Sequence, residues 1–339
     1  MAFFNHSRHT GSLGHGRYYS AFDSGAGPGN NSFNGGQHSP TSSNNINVVK
    51  LNRLRFYIGC SGWSYTAWQG PFYPHSTETS AWLPYYSHVF DYVEIDSSFY
   101  KTPNIFMVNN WNNKTPKDFR FTVKFPKVIT HDKRLKGVDE ELGLFFEVIG
   151  GLADKTLALL IQLPPSIQIK EGLDNLRELV PQLDNRFRYA IEVRHRSWFQ
   201  DLAYSFFSNN DICLVWSQLD EIKTPPVVTT DFLYLRLVGD RSIQDKDFGR
   251  IQIDRTDEIR KWARNIKRVQ DEEEQVNLAI VAANNHYAGF GPGTVNILLG
   301  LLGLSKANWE EKEVELKFRK EQQQRNHQPK QLTLTDFLN

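Results

Sequence analysis

The chain has 339 residues, 40% of them hydrophobic, with a formal net charge of +1. That length accommodates one barrel-sized domain of about 250 residues with chain to spare. Near-neutrality excludes a global field that gathers nucleic acid, so any DNA contact has to come from a local patch.

From Met1 to about Asn47 the sequence is rich in Gly, Ser, Asn and His, including Gly25-Ala26-Gly27-Pro28-Gly29-Asn30-Asn31. Such composition cannot bury enough apolar surface to offset chain entropy, so residues 1–50 read as a disordered extension. No apolar h-region follows Met1, and no apolar run is long enough to span a bilayer. The expectation is a cytoplasmic protein that does not enter a membrane. Cys60 and Cys213 both fall in predicted strands and read as buried free thiols rather than a disulfide or metal pair.

From Arg55 onward, β-rich runs alternate with longer polar-apolar segments. The runs are 56–60, 92–96, 119–125, 157–163, 189–194, 212–216, 232–237 and 276–282. Helical segments fit between them at 139–152, 174–183, 202–209 and 257–270. Eight β-α units in about 250 residues predict a closed (β/α)8 TIM-type barrel over 55–304, with an open doubly wound sheet as the alternative. No Gly-x-Gly-x-x-Gly follows the first strand, which argues against a dinucleotide fold.

Side chains in a strand alternate with period two. Val93 and Ile95 therefore oppose Glu94 and Asp96; Phe121, Val123 and Phe125 oppose Thr122 and Lys124; Leu159, Ile161 and Leu163 oppose Gln162. Likewise Ile191 and Val193 oppose Glu192 and Arg194, and Leu233, Leu235 and Leu237 oppose Tyr234 and Arg236. The apolar face fits the helical layer, so the polar face points into the barrel. These polar residues lie toward strand C-termini, the rim where barrel enzymes build their sites. With Asn284 after the last strand, the rim set is Glu94, Asp96, Lys124, Gln162, Glu192, Arg194, Arg236 and Asn284.

Buried charges must be paired or must meet a ligand, which leaves two readings: a structural ion-pair network or a ligand site. In a ligand site, Lys124, Arg194 and Arg236, with Gln162 and Asn284, suit phosphate or carboxylate oxygens. Glu94, Asp96 and Glu192 are the candidate acids and bases, or ligands for a hard divalent cation. His131, His195 and His286 lack the spacing of a zinc cluster and read as hydrogen-bonded structural residues. After the first strand, Trp63, Tyr65 and Trp68 form an aromatic lid that could stack on bases, stack on a sugar, or pack on itself.

Beyond Leu304, residues 305–330 are dense in Glu, Lys, Arg and Gln and read as an exposed helix or tether. The segment that follows carries Gln331, Leu334, Phe337 and Leu338 at one-turn spacing. Three apolar side chains are too few for a core and suit an anchor in a partner's groove. The spacing resembles the clamp-interaction peptide, or PIP box, of replication and repair proteins. That resemblance implies the sliding clamp as a partner, and a nucleoid location when clamp-bound.

The barrel segments together resemble the domain-of-unknown-function 72 family, also called YecE-like. The matching stretches are Gly59 to Tyr65 with Phe72-Tyr73-Pro74, Val93 to Tyr100, Phe121 to Lys124 with Thr130-His131, and Gln162 to Pro165. They continue with Glu192 to His195, Ser197-Trp198, Tyr234 to Leu237, and Asn284-Asn285-His286. The resemblance covers roughly Arg55 to Leu304 and implies a TIM-type barrel. It implies no reaction, since likeness to apurinic-site endonucleases is at fold level alone. This chain departs from the family pattern at Val238-Gly239-Asp240-Arg241, where His-Gly is common, and at Ser217-Gln218, where an aspartate is common.

The leading expectation is thus a DNA-associated barrel, engaging a phosphodiester or damaged nucleotide at its rim, with a nuclease-like hydrolase the first guess if it is an enzyme. An enzyme on a small polar metabolite or sugar, and a non-catalytic adaptor, are the alternatives.

Overall fold

A computed structural model describes residues 54–312, apart from Asp220 and Asp240. The N-terminal extension, and with it Gln331, Leu334, Phe337 and Leu338, lie outside the described residues.

The strands are β1 (Arg55–Ser61), β2 (Tyr92–Ile95), β3 (Arg120–Lys124), β4 (Thr156–Gln162) and β5 (Tyr189–Glu192). They continue with β6 (Ile212–Leu214), β7 (Trp216–Leu219), β8 (Phe232–Gly239) and β9 (Leu278–Ala283). All pair in parallel in one sheet of order β6-β5-β4-β3-β2-β1-β9-β8-β7. Parallel neighbours need crossovers, and helices supply most of them. These are α1 (Trp82–Val89), α2 (Ile105–Asn113), α3 (Asp139–Ile149), α4 (Ile169–Leu179), α5 (Asp201–Asn209) and α6 (Thr256–Glu272). A short α7 (Asn285–Ala288) and α8 (Gly291–Leu302) follow β9. On α6, Ile259, Trp262, Ala263, Ile266 and Val269 recur at helical spacing and are all buried against the barrel.

Eight strands were predicted and nine are found because the sixth is divided at Val215. Its first part, β6, pairs with β5, and its second part, β7, pairs with β8. The two sheet edges are therefore consecutive stretches of chain, so the ring is nearly closed. Where β6 lacks a second neighbour, Thr229 substitutes. Its hydroxyl accepts from the Leu214 N–H at 2.8 Å and donates to the Ile212 carbonyl at 2.8 Å. The ladder groups at the break are thereby satisfied without a strand.

The alternation sorts the sheet faces as expected. Val93, Ile95, Phe121, Val123, Leu159, Ile161, Ile191, Leu235 and Val281 join the core under the helices. The lumen is layered. Tyr57, Leu160, Ala190, Cys213, Phe232, Leu278 and Ile280 belong to an apolar core inside the barrel. Above it, the Tyr92, Thr122 and Tyr234 hydroxyls close a triangle at 2.7, 3.1 and 2.7 Å. The rim charges sit above that triangle. Cys60 and Cys213 are free and buried.

The body extends past the predicted barrel end at Leu304. Trp309 packs against Phe72 and Phe290, and the Tyr85 hydroxyl donates to the Trp309 carbonyl at 2.9 Å. The start of the predicted tether is thus part of the folded domain, because its one large aromatic finds a ring-lined groove.

Candidate functional site

Arg236, from β8, occupies the centre of the lumen. Its guanidinium grips Glu94 of β2 through Nε–Oε2 at 2.8 Å and Nη2–Oε1 at 2.6 Å, and its Nη1 donates to Glu192 of β5. Both carboxylates are fully buried, and Arg236 is nearly so. Glu94 also accepts from the Ser61 hydroxyl at 2.5 Å and from the Tyr234 hydroxyl. The second oxygen of Glu192 accepts from Arg194 Nε at 2.7 Å, and Arg194 Nη2 donates to Gln162 Oε1 at 2.9 Å. Burial pushes both carboxyls up, but the arginines outweigh it: Glu94 is held below its ordinary range and Glu192 down at about 2. Two carboxylates and two guanidiniums make a neutral quartet.

This geometry revises the expected role of Glu94 and Glu192. They were placed as acids, bases or metal ligands, but their oxygens are spent on Arg236, Arg194, Ser61 and Tyr234, and neither lines the rim cavity. They hold the arginines in place. Among the described residues, no three His, Cys, Asp or Glu side chains converge as a metal-holding group.

Above the quartet opens a cavity of about 430 Å³. Of the predicted rim set, Asp96, Lys124, Gln162, Arg194, Arg236 and Asn284 line it. Asp96 follows Ile95, whose register partner is Val123, so Asp96 and Lys124 leave adjacent strands at the same height. The Lys124 carbonyl accepts from Ser98 at 2.7 Å, which fixes the strand end, and Nζ lies 4.0 Å from the Phe99 ring centroid. Among the described residues Lys124 has no carboxylate within ion-pair distance. Burial, helped by Arg236 and Arg194 and opposed by Glu192 and Glu94, pulls its ammonium down to about 7. Burial and the Glu94 charge push the Asp96 carboxyl up. The Asn284 side chain accepts from the His286 N–H at 3.0 Å and caps α7.

Trp63 and Tyr65 line the cavity; Trp68 does not. Its ring is fully buried among Phe72, Tyr73, Tyr86 and Phe290, with Nε1 donating to Asn285 Oδ1 at 3.1 Å. Stacking on a ligand is therefore corrected to a core role: a 3₁₀ turn at Thr66–Trp68 rotates the indole inward. Trp82, Trp198 and Trp216 are buried in the same way.

Several cavity residues carried no periodic signal. Arg241, Asp245 and Phe248 come from the loop after β8, and His286 from α7. Phe248 meets His286 edge-on at 4.9 Å and Tyr65 at 5.8 Å, and His286 Nδ1 lies 3.0 Å from the Ile243 carbonyl, which closes the loop against the barrel. Gly239, which ends β8, has φ +78°, and an added Cβ would stand 2.3 Å from the His286 carbonyl oxygen. Glycine is required there. His131 and His195 serve structure: His131 packs edge-on against Phe99 and is pulled down to about 4 by burial and by Lys124, while His195 caps a turn through Ser197.

Comparison with known proteins gives one consistent result. The family model described as a protein of unknown function, DUF72, matches residues 57–318, past the end expected from the sequence. The Escherichia coli K12 protein YecE is 32% identical over 143 residues, 42% of this chain and 50% of that protein. Bacillus subtilis 168 YunF is 31% identical over 155 residues, 44% of this chain and 54% of that protein. The chain thus spans about half the length of the curated relatives it matches. A solved DUF72 family structure from Thermotoga maritima MSB8 has a TM-score of 0.62 at 26% identity and covers 73% of this chain and 99% of its own.

Proposed function

We propose that this chain, which belongs to the DUF72 family, binds a ring-bearing phosphate ester, a phosphodiester or a damaged nucleotide, in its rim cavity. The observation that carries this reading is the charge left over above the quartet. Arg236 is neutralised from below, whereas Lys124 has no ion-pair partner and Arg194 Nη1 no hydrogen-bond partner among the described residues. A buried cation without a counter-charge in a concave site, beside a guanidinium with a donor to spare, is a standing attraction for an anion. Trp63 and Tyr65 line the cavity beside them, and Asp96 supplies the one carboxyl of the predicted three that reaches it.

Titrating the full chain with intact, abasic and deaminated oligonucleotides, a dinucleotide and uncharged nucleosides tests this. Affinity should require the phosphate, and Arg194→Met should weaken it by about tenfold or more, the order of one charge-assisted contact. Nucleosides binding as tightly as their phosphate esters, in protein indifferent to Arg194→Met, would refute the reading and leave the small-metabolite alternative.

Residence on DNA has separate support in the spacing Gln331, Leu334, Phe337, Leu338. We propose that this segment docks in the sliding clamp, with the later part of 305–330 as spacer. A tail peptide that binds the clamp equally well after Phe337→Ala plus Leu338→Ala removes that support.

A further inference from the structure

We propose that Lys124 is a nucleophile that forms an imine with the carbonyl carbon of a phosphate-bearing aldehyde, the ring-opened form of a sugar phosphate. This deepens the phosphate-ester reading above and rests on it.

Three geometric facts single out this amine. It stands at the C-terminal end of β3 facing the cavity, held there by the Ser98 hydroxyl on its carbonyl. Its Nζ rests on the Phe99 ring instead of on a carboxylate. The Asp96 carboxyl leaves the adjacent strand at the same height. A structural lysine in a charged lumen takes a carboxylate partner, as Arg236 and Arg194 do here. Lys124 is placed among arginines, where an amine loses its proton most easily. The groups that set its charge are Glu94, Asp96, Glu192, Arg194, Arg236 and His131. With burial they hold its ammonium down at about 7, so that free amine and ammonium coexist near neutrality.

The chemistry balances within these two side chains. The neutral Nζ lone pair attacks the carbonyl carbon, the C=O electron pair moves to oxygen, and the Asp96 carboxylate passes one N–H proton to that oxygen. The Asp96 carboxylate then removes one N–H proton from the carbinolamine. It returns that proton to the hydroxyl, which leaves as water. Amine and aldehyde thus give an imine and water, the Asp96 carboxylate is regenerated, and no oxidant or reductant is needed. Arg194 would hold the phosphate.

The test incubates the full chain with deoxyribose phosphate, deoxyribose, or an abasic oligonucleotide in the presence of cyanoborohydride, and maps the reduced adduct by peptide mass. The adduct should form on Lys124 about tenfold or more faster than on surface lysines. Its rate should rise with pH and level off above about 7, and phosphate-free deoxyribose should label slowly. Lys124→Arg should lose the adduct, whereas Lys133→Arg, a change at an exposed surface lysine, should keep it. Faster labelling by the free sugar phosphate, or by the oligonucleotide, identifies the source of the aldehyde. Adduct spread over surface lysines with Lys124 no faster would overturn the proposal. If the dinucleotide still binds in that case, the anion site stands without the nucleophile; if it does not, both readings fall together.

Discussion

Replacing Arg236 with methionine would leave Glu94 buried without a counter-charge and Glu192 with Arg194 alone. Breaking a buried pair in this way costs about 3–5 kcal/mol, whereas an intact pair adds little net stability over apolar packing. Denaturant unfolding should therefore show a large loss for Arg236→Met, with partial recovery when both glutamates are also replaced by glutamine. The quartet also sets an acid limit. Its carboxyl groups have folded values below their unfolded ones, so their stabilisation is present above the unfolded range. It is lost as pH falls from 4.5 through about 2 for Glu192. Thermal melts between these values should decline in the wild type more steeply than in a Glu192→Gln variant. Period-two alternation revealed which of these residues face the lumen but not how deep they lie. Glu94 and Asp96 look equivalent in sequence, yet two residues of rise put one in the floor and the other in the cavity. Trp68 was misread because a loop has no period to say which way a ring turns.

At the level of elements, the divided sixth strand was hidden in the run Ile212 to Trp216, which is apolar without interruption. Its break depends on where β5 and β8 end, which no local pattern encodes. Thr229 bridges that gap, so Thr229→Val should cost about 1–3 kcal/mol by orphaning a buried N–H and C=O while preserving shape. Hydrogen exchange at the Leu214 amide should rise with it; an unchanged amide would mean that β6 does not depend on the bridge. The loop after β8 was equally opaque. Arg241, Asp245 and Phe248 reach the cavity only because Gly239 turns left-handed and His286 lies against the Ile243 carbonyl. Gly239→Ala should therefore lower stability by about 1 kcal/mol or more and disturb ligand affinity together, through strain and a carbonyl clash.

For the molecule as a whole, the eight-unit repeat was legible because each strand carries its own apolar face. The chemistry was less so. Charges around a rim announce a site, but which of them are neutralised by partners is a three-dimensional fact. Here Glu94 and Glu192 lie in the floor below the cavity, Asp96 and Lys124 line it, and Arg236 and Arg194 pair with the floor while lining it too. Trp309 makes the same point about extent. It lies in a charged stretch that reads as tether, yet it closes an aromatic cluster with Phe72 and Phe290.

We propose at Lys124 and Arg194 an anion site whose charge depends on Lys124. The most direct measurement is calorimetric binding of a phosphodiester dinucleotide across neutral pH, because a diester keeps its charge while the protein titrates. Affinity should fall as pH rises through about 7, where the ammonium form is lost, and Lys124→Gln should bind more weakly and flatten that dependence. Affinity that is independent of pH in the wild type and unchanged in Lys124→Gln would contradict the account.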